Sequence, residues 1–250
     1  MSDVLVLCYH AVSPTWAADL SVTPERLQHQ LRRLLSHGYR GATFAQALTA
    51  PSARRLVVVT FDDAYRSVFE LALPILARLG LPGTVFVPTA FAGSEQPMAW
   101  PGIDHWLEGP HRDELVPMSW RELRELRGRG WEVGSHTVSH PRLTSLGDEE
   151  LAREVGESRL ACDEGIGARC ASIAYPYGDV DSRVVAAARA AGYEFGAALP
   201  VRAHRPRPLE WPRVGVYHGD SGWRFALKAS RAVRRVRATA AGRRPRAPGA

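Results

Sequence analysis

Two adjacent carboxylates end an apolar run in the first third of this 250-residue chain. Asp62 and Asp63 follow residues 56–61 (LVVVTF), which are apolar on both faces, as a covered parallel strand must be. Neighbouring carboxylates in a partly dehydrated cleft repel each other unless a cation lies beside them. The pair therefore indicates a metal ion or a basic partner, while a helix N-cap before Ala64 remains the alternative.

Two histidines favour the metal over the N-cap. His136 and His140 follow a second predicted strand, and Pro141 comes directly after them, which favours a loop over a surface helix. With Asp63 they make a set of two histidines and one carboxylate, which leaves a tetrahedral ion an open position for water. We expect a divalent cation here, and mixed nitrogen and oxygen ligands suit zinc, with cobalt or nickel as substitutes.

The surrounding sequence alternates short apolar runs with helical patterns, which is typical of parallel βα units. We predict strands at residues 4–8, 56–61, 84–87, 131–133, 172–174, 193–198 and 214–217. The last helix is predicted from Trp223 to about Val236. Seven or so units without a Gly-rich nucleotide loop favour an α/β fold, a distorted (β/α)7-type, TIM-like barrel in a single domain. An open doubly wound sheet is the alternative.

In such a barrel the C-terminal ends of the strands meet at one face. Asp62 and Asp63, the histidine segment and Tyr-Pro-Tyr-Gly at 175–178 each follow a predicted strand, so we expect them to converge. Residues 93–118 form a long loop, a length that often marks a lid or binding loop.

The net charge of +6 comes from the C-terminal tail. Residues 228–250 contain eight basic side chains and no acid, so residues 1–227 are slightly acidic and do not favour nucleic-acid binding. We therefore divide the chain into a barrel at 1–227 and a basic helix end with a disordered tail at 228–250. One helical face of this tail is basic and is either solvated or bound to an anionic membrane. It comprises Arg231, Arg234, Arg235 and Arg237.

Compartment and redox state follow from the cysteines and the N-terminus. Cys8, Cys162 and Cys170 are too few and of the wrong parity for a disulfide framework, so we expect reduced, buried thiols. The N-terminus lacks the pattern of a signal peptide, and no apolar stretch approaches the roughly 20 residues of a spanning helix. We expect a cytoplasmic protein, membrane-associated if the tail binds lipid.

Three ordered motifs resemble the polysaccharide deacetylase family, also called the NodB-homology or carbohydrate esterase family 4 group. They are Thr-Phe-Asp-Asp (60–63), Ser-His-Thr-x-Ser-His (135–140) and Tyr-Pro-Tyr-Gly (175–178). The resemblance spans roughly residues 4–217 and includes Tyr9-His10 and Met118-Ser119-Trp120. It implies a metal-dependent hydrolase that removes the acetyl group from an N-acetylated sugar, such as a glycan precursor, a lipid-linked sugar or a small glycoside.

The resemblance also implies a role for individual residues. Asp62 would be the general base, and Asp63, His136 and His140 would be the metal ligands. The backbone amide of Tyr177 would donate to the oxyanion of the tetrahedral intermediate.

Two positions depart from the family pattern. Many members carry an arginine two residues before the proline of the third motif, where it helps to hold the base, but Ala174 stands here. Arg213 is a candidate substitute, with an ordinary surface charge as the alternative. The late Leu-x-His that supplies the catalytic acid has no clean match. His218 is the nearest candidate and His204 is its competitor.

Other functions remain open on the sequence alone. Related barrels hydrolyse other non-peptide C–N bonds, such as those of cyclic ureides and imides, and an inactive barrel could bind glycans. Retention of Asp62 beside a complete set of ligands argues against a pure binder, because a binder needs no base. Trp100 and Trp106 in the long loop could stack on sugar rings or pack the core of a lid.

Overall fold

The structure is a computed structural model that describes residues 3–50, 55–199 and 206–234. Its strands are β1 Asp3–Tyr9, β2 Ala11–Val12, β3 Ser21–Val22, β4 Arg40–Gly41, β5 Arg55–Phe61, β6 Thr84–Val87, β7 Glu132–Ser135, β8 Ser172–Ala174, β9 Phe195–Ala198, β10 Trp211–Pro212 and β11 Val214–Gly215. The main sheet is parallel, in the order β10-β9-β8-β7-β6-β5-β1-β11, and β4 pairs with β5 beside this path. The short β2 and β3 form a separate parallel pair.

One short segment nearly closes this sheet into a barrel. β10 and β11 lie at opposite edges of the strand order, yet Arg213 alone separates them in the chain. Trp211 pairs with Ala197 of β9, and Val214 pairs with Leu7 of β1. The predicted distorted (β/α)7-type barrel is therefore confirmed.

Helices cover the outside of the barrel. They are α1 Pro24–Ser36, α2 Phe44–Thr49, α3 Leu73–Arg78, α4 Trp120–Gly128, α5 Asp148–Ile166, α6 Ser182–Ala190 and α7 Gly222–Ala229. A π-helical turn, Val68–Ala72, precedes α3. The predicted capping box opens α4, since the Ser119 hydroxyl accepts from the Glu122 N–H and the Glu122 carboxylate accepts from the Ser119 N–H. No helix of the described residues is long and apolar enough to span a bilayer.

The strands bury both faces, as their sequences require. All six residues of 56–61 are buried, and complete burial of each Val, Leu or Phe side chain contributes roughly 1.5–3 kcal/mol. Gly134 of β7 is needed for close packing, because a Cβ atom there would lie 2.6 Å from the Phe86 ring. The three cysteines are buried and not disulfide-bonded.

The C-terminal helix differs from its prediction. α7 ends at Ala229, since Ser230 has a ψ of 126°, and the predicted boundary between 227 and 228 falls inside this helix. Residues 231–234 form a further helical turn, from which the Arg234 side chain reaches the start of β1. Its Nη2 lies 2.7 Å from Asp3 Oδ1, and the Arg231 Nε lies 3.9 Å from Asp3 Oδ2.

Arg234 of the predicted basic face is therefore paired within the protein, and membrane binding by this face stays a prediction. The Arg234 side chain pairs with Asp3, a buried carboxylate that requires a charged partner. The predicted cations Arg235 and Arg237 lie outside the described residues.

Candidate active site

The segments that follow β5, β7 and β8 meet at the C-terminal mouth of the barrel. Asp63 Oδ1 lies 3.4 Å from the Nε2 of His136 and 3.3 Å from the Nε2 of His140. All three side chains are buried. Asp62 and Asp63 are not an N-cap pair, because the first helical residue after them is Arg66.

The backbone of this mouth is strained in several places. The described residues include five non-glycine positions with positive φ: Asp63 (67°), Ala64 (54°), Thr137 (68°), His140 (65°) and Tyr177 (59°). Each such position costs on the order of 1–3 kcal/mol and persists only where its surroundings fix it. Glu154 of α5 supplies one such restraint, because its carboxylate accepts from the N–H groups of Val138 and Ser139 at 2.9 and 3.0 Å.

A backbone carbonyl orients His136. Its Nδ1 lies 2.8 Å from the carbonyl oxygen of Ala174, which requires the proton on Nδ1 and leaves the Nε2 lone pair toward Asp63. Burial lowers the pKa of His136, but the carboxylates of Asp62 and Asp63 outweigh it and raise this pKa above its usual value.

Aromatic rings surround His140. The Trp100 ring stacks on its imidazole, with centroids 4.2 Å apart and planes 23° from parallel. Tyr177 meets the imidazole edge to face at 4.8 Å. Burial outweighs the Asp63 carboxylate and lowers the pKa of His140, which keeps this ring neutral and able to act as a ligand.

The residues present fit a divalent cation. Asp63 Oδ1 is buried without a conventional hydrogen-bond partner and faces the ring nitrogens of His136 and His140. Burial raises the pKa of Asp63, but these two histidines outweigh it and hold the pKa well below its usual value. An ionised carboxylate with two imidazole nitrogens is a donor set that zinc and similar ions accept.

Arg213 holds the neighbouring carboxylate. Its Nη1 and Nη2 donate to Asp62 Oδ1 and Oδ2 at 2.6 and 2.7 Å, and Nη1 also donates to the Thr60 hydroxyl. The Arg213 side chain is completely buried, so the interpretation as a surface charge is wrong. Burial raises the pKa of Asp62, but the guanidinium of Arg213 outweighs it and lowers the pKa to about 2.

A second set of donor atoms lies beside Asp62. The ligand atoms of Cys8, His10 and Asp62 all lie within 4.8 Å of one another, and the Cys8 thiol lies 3.4 Å from Asp62 Oδ2. Burial raises the pKa of Cys8 well above its usual value, so it stays a thiol. Because Arg213 already neutralises Asp62, a cation is disfavoured here, and the set does not make a second metal site.

Tyr177 lies at the rim of the same mouth. Its hydroxyl donates to the carbonyl of Pro101 at 3.2 Å, and the guanidinium of Arg142 lies 4.3 Å from its ring centroid. Its ring contact with His140 places this residue beside the metal-ligand set. The structure thus brings five side chains of the predicted site together with Tyr177.

His218 is placed differently from these residues. Its N–H donates to the carbonyl of Asp19 at 3.0 Å, and its own carbonyl accepts from Arg26. Both are hydrogen bonds of the backbone, and the buried Nδ1 of the His218 imidazole has no hydrogen-bond partner. His204 lies outside the described residues. The sequence assigned no role to His10, whose buried Nδ1 has no hydrogen-bond partner.

The long loop packs inward on this site. Trp100 is 7% exposed and contacts His140, while Trp106 meets Trp16 edge to face at 5.6 Å. The packing interpretation of these two tryptophans is therefore the one that their contacts favour. Two short 3-10 turns, Asp104–Trp106 and Arg112–Leu115, shape the rest of the loop.

Comparison with known proteins gives consistent results. A sequence model of the family described as polysaccharide deacetylase matches residues 49–196, more than half of the chain. YxkH of Bacillus subtilis, named as a candidate polysaccharide deacetylase, is 26% identical over 227 residues, covering 88% of this chain and 74% of that protein. Poly-beta-1,6-N-acetyl-D-glucosamine N-deacetylase of Staphylococcus aureus is 24% identical over 223 residues, covering 84% and 72%.

A solved structure extends the similarity to the fold. IcaB from Ammonifex degensii superposes with a TM-score of 0.74 at 24% sequence identity, covering 93% of this chain and 97% of that one. Nearly all of the described barrel therefore has a counterpart of the same architecture.

Proposed function

Because the chain belongs to the polysaccharide deacetylase family, we propose that it is a metal-dependent hydrolase that removes the N-acetyl group from an N-acetylated sugar. The bond cleaved is a non-peptide carbon–nitrogen bond, and the products are a sugar amine and acetate. One observation carries the proposal: the buried set of Asp63, His136 and His140 lies beside a second carboxylate, Asp62, that is held apart from it. The activity for which the Staphylococcus aureus relative is named supports a glycan of N-acetylglucosamine as substrate.

The metal would be held by Asp63 Oδ1 and the Nε2 atoms of His136 and His140. Zinc suits these ligands, and cobalt or nickel could replace it. When bound, such an ion polarises a carbonyl oxygen and lowers the pKa of water to about 7. This chemistry is needed here, because a carboxylate with a pKa of about 2 is too weak a base to deprotonate bulk water.

Asp62 would act as the general base. Its low pKa keeps it ionised at neutral pH, and Arg213 fixes both of its oxygens, so the carboxylate cannot rotate away. Proton transfer to a positioned carboxylate contributes typically 10²–10⁴-fold, on the order of a few kcal/mol of barrier.

The remaining steps need an oxyanion donor and an acid. The backbone N–H of Tyr177 is the donor that the family pattern assigns, and its ring contact with His140 places it at the mouth. For the acid that protonates the leaving amine, we favour His10 over His218. The ligand atoms of His10 and Asp62 lie within 4.8 Å of each other, whereas among the described residues no hydrogen bond joins the His218 imidazole to Asp62.

The test combines metal content with acetate release. Wild type, His136→Ala and the control His37→Ala, an exposed histidine at the end of α1, are purified and analysed for zinc. Each is then assayed for acetate released from an oligomer of N-acetylglucosamine. We expect stoichiometric zinc and turnover in wild type and His37→Ala, and neither in His136→Ala. Tight zinc binding in His136→Ala would overturn the ligand set, and a zinc-loaded wild type that releases no acetate would overturn the activity.

A further inference from the structure

The two histidines of the proposed metal site are held in different ways. His136 donates its Nδ1–H to the carbonyl of Ala174, the kind of bond that usually orients a ligating imidazole. The Nδ1 of His140 is buried and has no hydrogen-bond partner. Something other than a hydrogen bond must therefore fix the plane of the His140 ring.

Trp100 contacts the ring in the geometry that this requires. The indole lies nearly parallel to the imidazole, 23° off, at a centroid distance of 4.2 Å, and both residues are buried. Phe91 packs edge to face against the Trp100 indole, with ring centroids 5.3 Å apart, so that the indole is itself held in place. A flat indole at this distance prevents the imidazole from turning about its Cβ–Cγ bond.

The loop that carries Trp100 is fastened to the segments that carry the ligands. The N–H of Met118 donates to the carbonyl of Ala64 at 2.8 Å, directly after Asp63. Three residues before the loop begins, the N–H of Ala90 donates to the carbonyl of Val138 at 3.0 Å. The indole plane is therefore fixed relative to both ligand segments, not only to its own loop.

We propose that Trp100 is a positioning residue for His140, and that stacking replaces the hydrogen bond that this ligand lacks. The proposal rests on the proposed function, because the orientation of His140 matters only if it binds a metal. Its effect is to keep Nε2 directed toward Asp63 before the metal arrives. Removing the indole should weaken metal binding without removing any ligand.

The experiment measures zinc affinity of metal-free protein by competition with a chromogenic chelator. Four proteins are compared: wild type, Trp100→Leu, Trp100→Phe and the control Trp106→Leu. Trp106 belongs to the same loop but packs on Trp16, away from His140. Loss of a group that orients a ligand typically weakens metal affinity by about 10–100-fold. We expect this loss in Trp100→Leu, a clearly smaller one in Trp100→Phe, and affinity near wild type in Trp106→Leu.

Each result has one meaning. Thermal melts of the metal-free proteins establish whether the variants fold. If Trp100→Leu does not fold, Trp100→Phe still tests the proposal. Wild-type affinity in Trp100→Leu would overturn the proposal, as would equal losses in Trp106→Leu or a Phe variant no tighter than the Leu variant. Failure of the wild type to bind zinc would instead overturn the metal site itself, and the positioning role with it.

Discussion

Replacing Arg213 by Met should destabilise the protein and disable its proposed base, because the guanidinium is the charged partner of Asp62. The two groups form a bidentate pair at 2.6 and 2.7 Å, with side chains that are 0% and 3% exposed. Solvent therefore screens the pair little. Loss of one partner of such a buried pair costs about 3–5 kcal/mol, since it leaves an uncompensated charge.

The pKa of Asp62 gives an independent measure of how strongly Arg213 stabilises the ionised carboxylate. Its lowering from 3.8 to about 2 corresponds to about 2.5 kcal/mol, at about 1.4 kcal/mol per pH unit. We therefore expect Arg213→Met to lower the free energy of unfolding of the metal-free protein by about 3 kcal/mol at pH 7. Urea unfolding in the presence of a chelator measures this quantity.

The pH dependence has a definite sign. In the wild type the depressed pKa of Asp62 stabilises the fold above pH 3.8, and this contribution is lost as the pH falls through about 2. Without Arg213, the largest opposition to burial is lost and only His136 and His10 still lower the pKa of Asp62, so this pKa rises from about 2 and the ionised carboxylate is less stabilised in the variant. The stability gap between wild type and Arg213→Met should therefore narrow on acidification from pH 7, and the acid limb of kcat/KM should move to higher pH.

A double-mutant cycle separates this pair from general packing. Asp62→Asn leaves Arg213 unpaired, while the double variant Asp62→Asn with Arg213→Met removes both charges. We expect the double variant to be no less stable than either single variant, and no less active than Asp62→Asn alone. The stability of Arg213→Lys should lie between those of wild type and Arg213→Met, because an ammonium keeps the positive charge but cannot form the bidentate contact. If the stability losses of the two single variants simply add in the double variant, the reasoning is refuted.

Three further outcomes follow from the site and the barrel. Asp62→Asn should keep its zinc but turn over roughly 10²–10⁴-fold more slowly, and near-normal kcat would remove this residue from the mechanism. His10→Gln should lower kcat far more than His218→Gln, measured on the same N-acetylglucosamine oligomer, and the reverse order would restore His218 as the acid. Arg234→Met should reduce stability at pH 7 by about 1 kcal/mol. Tyr39 and Arg234 lower the pKa of Asp3 despite its burial, so the stability difference between wild type and Arg234→Met should shrink below pH 3.8. Thermal melts from pH 7 to 3 measure this difference, and one that does not change with pH would contradict the reasoning.

The barrel could be predicted because its strands are covered on both faces. Such strands read as short apolar runs, and the runs at 84–87 and 172–174 match β6 and β8 residue for residue. Once the strands are parallel in a barrel, the segments after them must share one face. The meeting of Asp63, His136 and His140 is a consequence of this topology.

Arg213 could not be placed in the same way. It separates two strands of two residues each, and strands this short carry no periodic pattern. Its burial becomes intelligible only through Asp62, which lies 151 positions away. The same limit explains Arg234, whose partner Asp3 lies 231 positions away. Helical periodicity runs through Ser230, whereas the structure interrupts the helix there and is helical again at residues 231–234.

His10 is different, since a signal for it was present in the sequence. It directly follows β1, so the rule that placed the segments after β5, β7 and β8 at the mouth applies to it equally. The register makes this specific: Tyr9 pairs with Phe61, and the next residues, His10 and Asp62, are therefore neighbours across the two strands. His218 comes three residues after Gly215, which pairs with Cys8, and its N–H bonds the carbonyl of Asp19 instead of a residue of β1. A histidine that strand register places beside the base is a stronger candidate for the acid than one that only resembles a late motif.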